Sequence, residues 1–71
     1  MRITATVVYQ DLEGGFWGLA GDDGRQYEPV DALPTAVQRD GCRVEAEVEP
    51  LDVMSFRQWG RPVRVHQVSP L

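Results

Sequence analysis

Gly14-Gly15-Phe16-Trp17-Gly18-Leu19-Ala20-Gly21-Asp22-Asp23-Gly24-Arg25-Gln26-Tyr27-Glu28-Pro29 decides the fold. It reads as two short strands, roughly 16 to 20 and 25 to 28, joined by a tight turn. Gly21-Asp22-Asp23-Gly24 is that turn, because Asp and Gly tolerate the positive φ that hairpin turns demand. Phe16, Trp17, Leu19 and Tyr27 supply the aromatic and apolar bulk of a small core. Phe16 and Trp17 are consecutive, so only one of them can face that core. Pro29 ends the second strand, since it has no N–H to give a ladder.

Upstream, Arg2 to Gln10 alternates as a strand. Ile3, Ala5, Val7 and Tyr9 lie on one face, with Thr4, Thr6, Val8 and Gln10 on the other. Downstream, Pro34 suits the start of a helix and Gly41 its stop, which leaves room for one or two turns with Leu33 and Val37 on a shared face. Cys42, Val44, Ala46 and Val48 then alternate inward against Arg43, Glu45, Glu47 and Glu49. Pro50-Leu51-Asp52 turns the chain into a last strand expected over Val53 to Val68. In that span Met54 and Phe56 are apolar at even positions and Val63 and Val65 at odd ones. A strand has a side-chain period of two, so the change of parity predicts a bulge or sharp bend at Gly60.

Three strands, a short helix and two strands make the order of a five-stranded OB-like β-barrel over residues 1–71, a single all-β domain; an SH3-like barrel is the alternative. A chain of 71 residues buries only about 60% of its unfolded surface, which argues against a second domain or a deep enzyme cleft. No apolar run approaches the ~20 residues of a membrane span, and no signal peptide is visible, so a cytoplasmic protein is expected. The single Cys42 can form no internal disulfide and is expected as a buried, inert thiol.

The net charge is −4 and unevenly spread. Residues 1–49 carry four Arg against ten acids, a charge of −6, and residues 50–71 three Arg against one acid, a charge of +2. An acidic total disfavours a phosphate-backbone partner. One His and one Cys with no evident nucleophile–base pair favour a non-enzyme without cofactor or metal. Asp11, Glu13, Asp22 and Asp23 are expected as solvated acidic loops. The candidate binding residues are Trp17, Tyr27, Arg57, Trp59, Arg61, Arg64 and His66, whose cationic and aromatic side chains suit stacking or partner anchoring. The competing expectation places Glu45, Glu47 and Glu49 beside the arginines of the last strand as cross-strand ion pairs.

Leu12 to Gly18, Gly21 to Gly24, Tyr27, Pro29, Leu33-Pro34, Asp40-Gly41 and Trp59-Gly60 together resemble the signature of a group of small prokaryotic proteins, a likeness that spans nearly the whole chain and implies a fold without an activity. More weakly, Gly15-Phe16-Trp17-Gly18-Leu19, with Asp23-Gly24 through Tyr27, is similar to the aromatic motif and following turn of cold-shock domains. That likeness implies a five-stranded OB barrel that binds single strands by base stacking. This chain departs from the family: Trp17-Gly18 interrupts the alternating aromatics, Tyr27-Glu28-Pro29 replaces the second aromatic motif, and there is no Lys. The expected function is therefore a small binding module contacting a protein or small ligand through an aromatic and Arg patch, as a monomer or weak homodimer. Single-stranded nucleic-acid binding is the alternative.

Overall fold

The computed structural model describes residues 1–55 and 57–71. In chain order it contains β1 (Arg2–Gln10), β2 (Phe16–Gly21), β3 (Gln26–Pro29), a 3-10 turn (Thr35–Val37), β4 (Arg43–Pro50) and β5 (Arg61–Pro70). The strands close into a barrel in the order β1-β2-β3-β5-β4, with β4 returning to β1. Every pairing is antiparallel except β3 with β5, which is parallel. This is the OB-like arrangement expected from the element order, and closure pairs strands that would otherwise be sheet edges.

Alternation places the core. Ile3, Ala5 and Val7 of β1 face inward with Val44, Ala46 and Val48 of β4, while Leu19, Tyr27 and Val63 complete the wall. Leu33 and Val37 are both buried and close one end of the barrel, as their four-residue spacing suggests. The helix between them shrinks to three residues, and Pro34 stands just before it with an extended ψ of 143°. The hairpin turn closes with Gly21 N–H donating to the Arg25 carbonyl (2.8 Å) and Gly24 N–H to the Gly21 carbonyl (3.0 Å). Only Gly24 takes the left-handed backbone there, with φ of 85°. Cys42 is half-buried against the core rather than sealed in it.

Three expectations about the last third of the chain need correction. No strand runs from Val53: β5 begins at Arg61, and the described residues between 51 and 60 form a loop. Met54 points to solvent, so its parity carries no information about a sheet face, and Phe56 lies outside the described residues. The chain bends at Gly60 as expected, but the bulge is not there. It sits in β5 at His66, where Glu47 pairs Gln67 but Val48 pairs Val65. The parity change therefore falls between Val65 and Val68, the two half-buried valines that pack on the core from either side of it. Gly60 serves close approach instead, since a Cβ there would lie 2.7 Å from the Gln26 carbonyl oxygen.

The expected ion pairs between β4 and the arginines of β5 are also redistributed. A strand inside a barrel has two neighbours, and the glutamates of β4 turn mainly to β1. Glu45 accepts from Arg2 (3.0 Å) and Glu47 from the terminal ammonium of Met1 (2.6 Å). Only Glu49 looks to β5, standing opposite Arg64 in register and 3.0 Å from His66 Nε2.

Candidate functional site

The described residues of the loop between β4 and β5 lie over the outside of β2 and β3 and are fastened there at three points. The Ser55 hydroxyl reaches the Glu28 carboxylate of β3 at 2.7 Å from each oxygen. The Arg57 guanidinium lies over the Phe16 ring of β2, 4.5 Å from its centroid. The Trp59 indole covers Gly18 and meets Phe16 edge-on, with centroids 5.5 Å apart. Each contact has a local cause: outward side chains of β2 alternate as Phe16, Gly18 and Ala20, and the missing side chain at Gly18 leaves a seat for an indole.

Trp17 faces the other way, toward the barrel mouth, where it meets Tyr9 edge-on at 5.0 Å across the β1–β2 ladder. The consecutive pair is thus divided as expected, with neither ring fully buried: Trp17 stands at the rim of the core and Phe16 on the outside.

Between β2 and the chain after β3 the barrel wall parts. The β2–β3 ladder holds only Leu19 with Tyr27 and Ala20 with Gln26. Continuing that register would set Trp17 opposite Pro29, which has no N–H to donate. Peptide groups alternate in direction along an antiparallel strand. Gly21 N–H bonds across to Arg25, so Leu19 and Trp17 turn their N–H and C=O the same way, and those of Trp17 meet a gap. A cleft of about 260 Å³ fills this position, lined by Gly15, Phe16 and Trp17 on one side, Pro29 to Leu33 on the other, and Arg57 at the rim. Arg57 Nε is buried and has no hydrogen-bond partner among the described residues.

The sequence candidates separate on this surface. Trp17 and Arg57 line the cleft and Trp59 flanks it across Phe16. Tyr27 lies in the core, 2% exposed, with its hydroxyl donating to Asp23 at 2.6 Å. That bond holds the Asp23 carboxyl below its ordinary range and pushes the Tyr27 phenol above its own. Arg61, Arg64 and His66 are exposed along β5 and do not line the cleft. Sequence reasoning missed Phe16 as the platform for Arg57, Val30 as an exposed apolar wall, and Glu28 as a carboxylate beneath the loop. A Pro placed two residues past the hairpin's last paired position was the available signal for the open ladder.

The acidic loops do not converge. Asp11 and Glu13 precede β2, whereas Asp22 and Asp23 follow it, and the latter two are engaged by Arg43 (2.6 Å) and Tyr27. No helix among the described residues is long and apolar enough to cross a membrane. In comparisons with known proteins, the chain matches no family model, no curated protein and no solved structure.

Proposed function

We propose that the protein is a non-enzymatic binding module that takes an extended segment of a partner protein into the cleft between β2 and Pro29–Leu33. The observation that carries this reading is the ladder that stops at Leu19–Tyr27, leaving the Trp17 peptide groups turned toward a cleft. An extended chain entering there supplies the donor that Pro29 lacks, as in strand addition to a sheet edge. Trp17 and Val30 offer apolar contact for its side chains, and Arg57 a polar rim.

Single-stranded nucleic acid fits less well. OB barrels commonly hold oligonucleotides on the faces of strands 2 and 3. Here that face carries the protein's own Trp59 on Gly18 and Arg57 on Phe16, where bases would stack. A net charge of −4 repels phosphates as well.

The test selects linear peptides from a random display library on the intact protein and titrates the winners against isotope-labelled protein. The expected result is shift changes centred on Gly15–Trp17 and Val30–Leu33, with slowed exchange of the Trp17 amide and little salt dependence. Peptides mapping elsewhere overturn the reading. So do single-stranded oligonucleotides that bind at this cleft with affinity falling steeply as salt rises.

A further inference from the structure

Beside the Trp17 cleft, sharing Val30 and Arg57 with it, lies a second cleft of about 200 Å³. Val30, Val53, Met54 and Pro62 make its apolar walls, and Glu28 and Ser55 supply its polar groups. Glu28 is 5% exposed, the one charged side chain buried to this degree among the described residues. Its only hydrogen-bond donor among them is the Ser55 hydroxyl, which has one proton and lies 2.7 Å from both oxygens. A carboxylate offers about four acceptor positions, and a charge withdrawn from water needs a countercharge or a full set of donors in exchange. Arg57 lines the same cleft with its guanidinium directed over the Phe16 ring, and neither a hydrogen bond nor an ion pair joins it to Glu28 among the described residues. Ser55 can give no more, because its one proton is already donated; its oxygen is held in place as the acceptor of Gln58 N–H at 2.9 Å.

We propose that this cleft is a receptor for an alkylammonium group, which a partner protein presents as a lysine side chain. The ammonium takes the open acceptor positions of Glu28. The methylene stem lies along Val30, Val53 and Met54, whose 91% exposure and flexible thioether make an adaptable wall. Lysine suits the site better than arginine. A guanidinium grips a carboxylate through both oxygens at once, and the Ser55 hydroxyl already occupies the position between them. The assignment to a partner's lysine rests on the proposed function, whereas the preference for an alkylammonium group stands without it.

The test titrates the intact labelled protein with n-butylammonium chloride and, separately, with n-butanol. Saturable shifts at Val30, Met54 and Ser55 are expected with the amine, at least ten-fold weaker with the alcohol, and absent in Glu28→Gln. Should Glu28→Gln fail to fold, Met54→Ala serves in its place. It removes an exposed wall, keeps the carboxylate, and is expected to weaken amine binding several-fold while leaving the spectrum of the barrel unchanged. Equal responses to amine and alcohol, or amine shifts spread over Asp22, Asp40 and the other exposed carboxylates, overturn the proposal. A peptide that enters the Trp17 cleft and binds Glu28→Gln as tightly as wild type defeats the lysine site and leaves the binding module standing. Amine binding at Glu28 with no peptide reaching Trp17 does the reverse.

Discussion

Trp59 sits so closely on Gly18 that a Cβ at that position would lie 2.5 Å from the indole Cζ3. This contact joins the loop before β5 to the middle of β2, so a single hydrogen at Gly18 decides whether the loop can lie flat. Gly18→Ala is expected to lift Trp59 and loosen its contact with Phe16, costing about 1–3 kcal/mol by overpacking. Urea unfolding should show the lower midpoint, and tryptophan emission should move to the red as Trp59 gains water. Unchanged emission with unchanged stability would remove Trp59 from this seat.

The core is thin, so its members count heavily. Leu19 is fully buried and pairs with Val7 on one side and Tyr27 on the other. Leu19→Ala is expected to cost about 2–5 kcal/mol. A 71-residue domain has about 4–11 kcal/mol in total. Thermal unfolding should show either a large fall in Tm or no cooperative transition.

Three carboxyls are held below their ordinary values. Arg43 hydrogen bonds act on Asp22, the Tyr27 hydroxyl on Asp23 and the terminal ammonium on Glu47. The folded state favours their ionised forms. Their contribution is therefore present above the ordinary carboxyl values, 3.8 for Asp and 4.5 for Glu, and is lost as pH falls below them. Denaturant midpoints should decline across that acid range. Tyr27→Phe, which removes the largest influence on Asp23, should flatten the decline. At the alkaline end the sign reverses: the Tyr27 phenol is raised above 10.0, so its contribution holds below that pH and is lost above it. A midpoint indifferent to pH in both ranges would contradict the hydrogen bonds at these three carboxyls.

The barrel was legible where one local rule governed. Strict alternation marked β1 and β4, and a Gly-rich turn between aromatic runs marked the β2–β3 hairpin. Pro29 marked the end of the third strand. The loop before β5 was misread because an apolar residue at Met54 imitates strand alternation, while the forces that shape this loop come from residues distant in sequence. Ser55 is held by Glu28, 27 positions away, and Trp59 by a glycine on β2. The antiparallel β4–β5 pairing and the place of Glu49 beside Arg64 were legible, but Glu45 and Glu47 were assigned to the wrong neighbour for a similar reason: adjacency in sequence favoured β5, and closure brought Arg2 of β1 to the other side. Of the candidate site, Trp17 and Arg57 were found by residue type. The cleft itself follows from the register of two strands, which spacing alone does not fix.

The open ladder at Trp17 is the premise of the binding site, and native-state amide hydrogen exchange tests it most directly. Leu19 N–H is shared with β3 and Trp17 N–H faces the cleft, though both lie on the same strand two residues apart. The expected result is strong protection at Leu19 and exchange at Trp17 faster by orders of magnitude in the free protein. Equal protection of the two amides would mean that the β2–β3 ladder continues past Pro29, and with it closed there is no edge for a partner to complete.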